Sequence, residues 1–177
     1  MKKNILILFL LSFFSICHIA YAYNEADLQK LLNEKSCTDS TFSSCDLQNA
    51  IIKDVDLSGA DLEGANLNNA TLENVNLTGA ILNETKLNRT KLYLVQFSNA
   101  NLQDAEISNV KMIFVDFTNA DLSGAKLNGA TLKGVKFKET TFSDVIVQEL
   151  DFEYTDLSGA KDFDGETCTE MSFGSCK

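Results

Sequence analysis

The chain has 177 residues, a formal net charge of -10, five cysteines, one histidine, and neither proline nor tryptophan. That length suits one ordinary domain. Because the only histidine, His18, lies in a segment that we expect to be removed, the remaining chain has no imidazole, which excludes Ser-His or Cys-His catalysis and an ordinary zinc site.

Residues 1–22 have the layout of a secretory signal peptide. Two lysines precede an apolar run, which leads to the small-x-small cleavage site Ala20-Tyr21-Ala22. We expect cleavage after Ala22 and a periplasmic or secreted protein of net charge −12 that has no membrane association. A lipoprotein anchored through Cys17 is disfavoured, because Ile16 stands where a small residue is needed.

Residues 23–39 are predicted to form a short capping helix and a linker. Asn24 can accept hydrogen bonds at the helix N-terminus, and Leu28, Leu31 and Leu32 fall on one face. We expect this face to cover one end of the domain that follows.

Residues 40–160 carry an apolar side chain at every fifth position. The series runs from Phe42 to Leu157, which is 24 positions without interruption, and a small or β-branched residue stands two positions before most of them. A period of five fits neither a helix nor a strand. It indicates a solenoid.

A longer period of twenty residues sets the size of one coil. Side chains of the same kind recur every twenty residues. One such series is Val55, Val75, Val95, Val115 and Val135. Such residues stack in columns if each coil takes twenty residues arranged on four sides. Hydrogen bonds between coils would then run along the axis at a strand-like spacing of roughly 4.8 Å.

The stretch DLSGADLEGANLNNATL, which begins at Asp56, resembles the pentapeptide-repeat proteins, whose motif reads Ala-(Asp/Asn)-Leu-x-x. The resemblance covers residues 40–160. It implies an all-β solenoid, a right-handed quadrilateral β-helix of about six coils, in an exported bacterial member of the family. Leu150 is oversized for the small site, so we expect less regular structure near it. In four other repeats the small site is occupied by threonine instead of alanine, at Thr85, Thr90, Thr140 and Thr155.

A similar cysteine segment lies at each end of the predicted coil. The two segments are CTDSTFSSC from Cys37 and CTEMSFGSC from Cys168. These two cysteines are 131 residues apart, or roughly 30 Å along the axis. A disulfide tolerates only about 7 Å between Cα atoms. We therefore predict disulfides Cys37–Cys45 and Cys168–Cys176 that close the two ends, with residues 161–177 as the C-terminal cap.

The sequence contains no candidate catalytic, cofactor-binding or metal-ligating residues. Its carboxylates fall mostly at outward positions of a convex rod, which lacks the cleft that a pair of catalytic carboxylates needs. The glycines fall at the corners of the repeat and are interpreted as turn residues. We therefore predict a protein that is not an enzyme and holds no cofactor or metal.

One side of the predicted coil carries acids and no lysine or arginine. Two interpretations remain open: this side attracts a basic partner or loosely held cations, or it serves only solubility. Its acidic residues are Asp61, Glu63, Glu84, Asp104, Asp121 and Asp144.

Another side places apolar residues at outward positions of neighbouring coils. Tyr93 and Leu94 lie one coil before Ile113 and Phe114, and Tyr154 lies two coils further along. Stacked side chains of this size would form a patch of several hundred Å², which commonly marks an interaction site. The alternative is that the C-terminal segment or a local bulge covers them.

These features predict an exported, rigid interaction or structural module. It would dock a protein partner or itself, as a homodimer, through the apolar patch, and it would not bind nucleic acid. The resemblance implies an alternative, because some family members resemble duplex DNA and inhibit type II topoisomerases. Residues 38–160 carry net −9 over roughly 29 Å, a lower charge density than DNA, so the mimicry is weak. An exported protein would not meet a topoisomerase, so this alternative holds only without export.

Overall fold

The computed structural model describes residues 24–37, 44–147 and 149–161. The predicted signal peptide, residue 42 and the predicted Cys168–Cys176 disulfide lie outside these residues. The described residues form one helix and six short strands in chain order: α1 (Glu25–Glu34), β1 (Ile51–Lys53), β2 (Thr71–Glu73), β3 (Lys91–Tyr93), β4 (Lys111–Ile113), β5 (Thr131–Lys133) and β6 (Asp151–Glu153).

The six strands form one parallel sheet in the order β1 to β6. Each strand pairs with the next at a register of twenty residues, as Leu92 does with Met112. We call this sheet the strand side. The other three sides are built from isolated parallel bridges between coils at the same interval, the first of which are Asp46–Asn66, Asp56–Asn76 and Asp61–Ile81, and Ser36 after α1 adds a further bridge to Asp61. The predicted four-sided β-solenoid with twenty residues per coil is therefore confirmed.

The number of coils differs slightly from the prediction. Each side has six rungs, and four inner coils have hydrogen-bonded coils both above and below them. Within the described residues, the first and last coils are each paired with another coil on one side only. The solenoid thus has about four coils that are enclosed on both sides, compared with the predicted six. The prediction counted every twenty-residue period, including the first and last coils.

Stacked columns of apolar side chains fill the interior, as the twenty-residue phase predicts. Val95 and Val115 are buried, and so are Leu102 and Leu122. One column is aromatic: the Phe117 ring stacks almost parallel on Phe97 and Phe137, with centroid distances of 4.9 and 5.1 Å. The rings therefore stack at about the spacing between coils.

Where a repeat carries aspartate or asparagine just before its inward apolar residue, that side chain shapes the turn that follows. The Oδ1 atom of Asp56 accepts a hydrogen bond from the backbone N–H of Ser58. The Oδ1 atom of Asp116 accepts one from the backbone N–H of Thr118 in the same way. The backbone N–H of Ser58, followed by its hydroxyl, lowers the pKa of Asp56. This local bond explains why a short acceptor side chain suits the position.

Helix α1 caps the N-terminal end of the coil. The Oδ1 atom of Asn24 accepts from the backbone N–H groups of Ala26 and Asp27, as an N-cap does. Leu28 and Leu31 are buried, but Leu32 is exposed, so the prediction of a three-leucine contact is wrong for that residue. Leu32 lies about 100° around the helix from Leu31 and points away from the coil.

The polypeptide around α1 also satisfies backbone groups of the first coil. Asp46 N–H donates to the Asp27 carboxylate at 2.7 Å, and Asp61 N–H donates to the Lys35 carbonyl at 2.8 Å. The Cys37–Cys45 disulfide is present, with 4.9 Å between Cα atoms, which confirms that pairing. The exposed sheet edge of a first coil is thereby covered.

The last described coil holds the oversized Leu150 at the small site of the repeat. Leu150 is only partly buried, whereas Ala70 and Ala130 at equivalent positions are fully buried. Strand β6 nevertheless keeps its register, since Asp151 N–H donates to the Ala130 carbonyl at 3.1 Å.

Candidate interaction surface

Four of the five predicted patch residues lie together on adjacent rungs of the strand side. Tyr93 at the end of β3 is the register partner of Ile113 at the end of β4, and Leu94 and Phe114 follow them at the corner. Leu94 is 44% exposed and Phe114 is 53% exposed, and Ile113 is half-buried. These four residues are called the apolar patch below.

Tyr154 stands apart from the apolar patch. It is 79% exposed and lies two coils beyond Phe114 at the same corner, with Gly134 between them. In the neighbouring column, Lys133 and its ion-pair partner Glu153 follow Ile113 on the next two rungs, so no apolar side chain connects the patch to Tyr154 along that column.

The corner residues of the patch adopt a backbone conformation that bulky side chains rarely adopt. Leu94 and Phe114 both have φ of 53°, in the left-handed region. Glycine, asparagine and aspartate hold most other corners, because they tolerate this conformation at less cost. Two exposed apolar side chains on such corners cost stability, and strain of this kind is typical of functional surfaces.

Gly134 makes room for the Phe114 ring. A Cβ atom on Gly134 would lie 2.6 Å from Cδ1 of Phe114, so the ring lies directly over the glycine of the next coil. An open groove of about 520 Å³ runs beside the ring and is lined on its other side by Gln96 and Lys136. The patch is therefore an apolar ridge with a partly polar groove at its foot.

Ion pairs flank the apolar patch above and below on the strand side. Lys53 pairs with Glu73 at 2.5 Å, and Lys133 pairs with Glu153 at 3.0 Å. The hydrogen bond with Glu73, followed by its charge, raises the pKa of Lys53. The third residues of the six strands thus form one column in the order Lys53, Glu73, Tyr93, Ile113, Lys133 and Glu153.

The predicted acidic residues share one side of the coil but fall at different places on it. Asp61 and Asp121 are partly buried at bridge positions, whereas Glu63 is exposed. Three more occupy left-handed corners, namely Glu84, Asp104 and Asp144. The side therefore presents its carboxylates in separate columns.

Neutral amides bond to two of these carboxylates. Asn83 donates to Glu63 at 2.7 Å, and Gln103 donates to Asp121 at 2.6 Å. Partial burial acts to raise the pKa of Asp121, but hydrogen bonds from the hydroxyl and backbone of Ser123 outweigh it, so the pKa lies below its usual value. These amides therefore help to position the carboxylates of Glu63 and Asp121.

Sequence reasoning missed three exposed isoleucines, although the phase of the repeat places each of them outward. Ile51 begins β1 on the strand side, and Ile81 lies between Asp61 and Asn101 on the acidic side. Ile146 is exposed on a further side. Each stands immediately before an inward position, which is the signal that could have identified it.

In residues 24–37, 44–147 and 149–161, no group of three or more His, Cys, Asp or Glu side chains is arranged to hold a metal ion. The same residues include no helix that is long and apolar enough to cross a membrane.

The repeat defines the class of this protein. Its sequence matches the family described as pentapeptide repeats in eight copies, over residues 56–92, 96–134 and 125–161, which is more than half of the chain. The chain belongs to the pentapeptide-repeat family. No curated protein sequence matches it significantly.

Solved structures of other pentapeptide-repeat proteins are similar to this chain. One, from the Arabidopsis thaliana thylakoid lumen, is 21% identical, with a TM-score of 0.47, over 49% of this chain and 60% of that one. Rfr23 from the cyanobacterium Cyanothece 51142 is 22% identical, with a TM-score of 0.36, over 73% and 96%. QnrB1, a plasmid-mediated fluoroquinolone resistance protein, is 20% identical, with a TM-score of 0.37, over 63% and 64%. The chain thus spans less than two thirds of the first and third of these proteins.

Proposed function

We propose that this protein is an exported, rigid interaction module without catalytic activity, which docks a protein through the apolar patch. The observation that carries the proposal is the pair Leu94 and Phe114, two large apolar side chains that are exposed on left-handed corners of adjacent coils. Asparagine at these corners would relieve the backbone strain, so the folded chain alone does not account for them.

The surrounding solenoid supports a docking role. Hydrogen bonds join neighbouring coils on all four sides, and the interior is filled with close-packed columns. A surface on such a scaffold is already ordered before binding, so little conformational entropy is lost when a partner docks. A rigid ridge flanked by charged side chains also resembles the apolar centre and polar rim of many protein interfaces.

Export is supported by the predicted signal peptide and by the Cys37–Cys45 disulfide. Disulfides persist in oxidising compartments and are rare in the cytosol of mesophiles. Amino-terminal sequencing of protein from the native host tests this part of the proposal. A mature chain that starts at Tyr23 would agree with export, and a chain that retains Met1 in the cytosol would contradict it.

We expect the double substitution Leu94→Asn and Phe114→Asn to abolish docking while the fold survives. The loss of apolar contacts is offset by the relief of two strained corners, so the free energy of unfolding should change by less than about 1 kcal/mol. Partner capture from the exported fraction of the native host should fall at least about tenfold, as truncated interface anchors commonly cause. Both quantities are measured on purified protein, by urea denaturation and by quantitative capture.

Ile81→Asn is the matched control, because it removes an exposed isoleucine from the acidic side instead. The control should capture the same proteins as the unmodified chain. Equal capture by the double variant would contradict the proposed role of the apolar patch.

A further inference from the structure

We propose that the occupant of the strand side is a second copy of this chain, packed face to face and antiparallel. This inference rests on the proposed function, which assigns docking to the apolar patch, and it names the partner. It is carried by the order of charged and apolar residues along the strand side, which is complementary to its own reverse.

The symmetry of such a dimer follows from the six strands. A two-fold axis that lies in the interface, perpendicular to the coil axis, and passes between β3 and β4 reverses the order of the rungs. Strand β1 then faces β6 of the second copy, β2 faces β5, and β3 faces β4. Each column of side chains meets the same column of the other copy, running in the opposite direction, as in any isologous interface.

The column of third strand residues is complementary in this arrangement. Lys53 faces Glu153 of the second copy, and Glu73 faces Lys133 of the second copy, so every charge meets its opposite. The two-fold makes each pair twice. The ion pairs Lys53–Glu73 and Lys133–Glu153 within one copy would thereby join into four-charge clusters, in which each lysine lies beside glutamates only.

The apolar patch lies at the centre of the same arrangement. Tyr93 faces Ile113 of the second copy, and Leu94 faces Phe114 of the second copy, so the four residues cover one another. Large apolar and aromatic side chains at the centre, with charges towards the rim, are the usual anatomy of an interface.

The corner column is also compatible with its own reverse. Asp54 faces Tyr154 of the second copy, whose hydroxyl can donate to the carboxylate, and Asn74 faces Gly134, over which the Phe114 ring of the second copy lies. This pairing gives a role to Tyr154, which lies too far from the apolar patch of its own copy to extend it.

A parallel arrangement centred on this column is disfavoured by the same charges. A two-fold axis along the coil would keep the rungs level, so Lys53 would face Lys53 and Glu73 would face Glu73 of the second copy. Like charges placed directly opposite one another are unfavourable. The charge order therefore selects the antiparallel dimer.

Two pairings in the antiparallel dimer are unfavourable, both in the column of first strand residues. The exposed Ile51 faces Asp151 of the second copy. Lys91 faces Lys111 of the second copy in the column of first strand residues, where both side chains are exposed and long enough to extend into solvent. The interface is also small, at roughly 24 Å along the axis and about 10 Å across, below the size of a standard interface. We therefore expect a weak, transient dimer.

A charge-exchange experiment tests the proposal by sedimentation equilibrium over a concentration series. Glu73→Lys alone and Lys133→Glu alone each place like charges opposite one another twice, so each variant should dimerise at least about tenfold more weakly than the unmodified chain. An equimolar mixture restores opposite charges in both places, and it should dimerise about as tightly as the unmodified chain. Circular dichroism melting checks that both variants are folded.

Lys126→Glu is the matched control, because it breaks the Lys126–Glu106 ion pair on a different side of the coil. It should leave dimerisation unchanged. The proposal is overturned if the mixture of the two variants stays monomeric, or if Glu73→Lys dimerises as tightly as the unmodified chain.

A second substitution is expected to tighten the dimer. Lys91→Glu replaces two facing pairs of lysines by two opposite-charge pairs, so the dissociation constant should fall by about five- to thirtyfold. Circular dichroism melting checks that this variant is folded, so that tighter association reports on the interface. An unchanged or weaker dimer in the Lys91→Glu variant would count against the antiparallel register.

The outcomes separate this inference from the proposed function. If the unmodified chain stays monomeric up to about 1 mM but the Leu94→Asn, Phe114→Asn variant loses partner capture, a different protein occupies the patch and only the homodimer is overturned. If the same variant also captures partners normally, the proposed function fails as well. A photo-crosslink from position 93 to residues 162–177 of the same molecule would likewise overturn the homodimer.

Discussion

Replacing Phe117 with alanine is expected to lower the free energy of unfolding by about 4 kcal/mol. Phe117 is buried at the centre of the aromatic column, with ring centroids 4.9 Å from Phe97 and 5.1 Å from Phe137. Its removal would leave a cavity between two rings that are held in place by their own coils. Because the coils are tied by hydrogen bonds on all four sides, they cannot collapse into that space.

Two variants control this prediction. Phe117→Leu should cost only about 1 to 1.5 kcal/mol, since Leu77 and Leu157 fill the same position in other coils. Phe114→Ala, three residues away, should cost less than about 1 kcal/mol, because its ring is half exposed and its corner is strained. Urea denaturation measures all three variants. Similar losses for Phe117→Ala and Phe114→Ala would contradict the assignment of inward and outward positions.

Two buried threonines are expected to respond to valine in opposite ways. The hydroxyl of Thr140 donates to the Phe117 carbonyl of the preceding coil at 2.7 Å. The buried hydroxyl of Thr155 has no hydrogen-bond partner among the described residues. Thr140→Val should therefore cost about 1 kcal/mol, and Thr155→Val should stabilise the chain by up to about 1 kcal/mol, because it removes an unsatisfied polar group.

The comparison is well matched, because valine already occupies the same small site at Val95 and Val115. Urea denaturation of the two single variants and of the double variant measures the difference. A similar loss of stability in both variants would contradict this account, because it would show that the Thr155 hydroxyl also makes a stabilising hydrogen bond.

The interior could be predicted from the sequence because the phase of a residue in the twenty-residue period decides its direction. Val95, Leu102 and Phe117 are inward by phase and are buried. Cys37 and Cys45 are close in the chain, and the distance between the two ends of the coil excludes the other cysteines as partners. These features depend on spacing alone.

The finer structure of the surface could not be predicted in the same way. The phase places Phe114 outward, but it does not show that its ring lies over Gly134 or that its φ is positive. The phase also places Lys53 and Glu73 in one column without showing that they bond. Contacts between side chains of neighbouring coils depend on rotamers, which a repeat pattern does not specify.

The contacts at the N-terminal end of the solenoid could also be predicted only in part from the sequence. Amphipathic spacing predicts that α1 is a helix, and the structure agrees, but the spacing alone did not exclude Leu32 from the contact. How much of an apolar stripe is covered depends on the shape of the surface beneath it, which here is the first coil.

Nuclear Overhauser effects between valine methyl groups test the stacking of coils most directly. With selectively labelled methyl groups, strong effects are expected between neighbouring members of the series Val75, Val95, Val115 and Val135, which should lie about 5 Å apart. Val75 and Val135, three coils apart at about 14 Å, should show none. Absent effects between Val95 and Val115, or methyl groups of these residues that contact water, would contradict the stacked coil and with it the apolar patch and the antiparallel dimer.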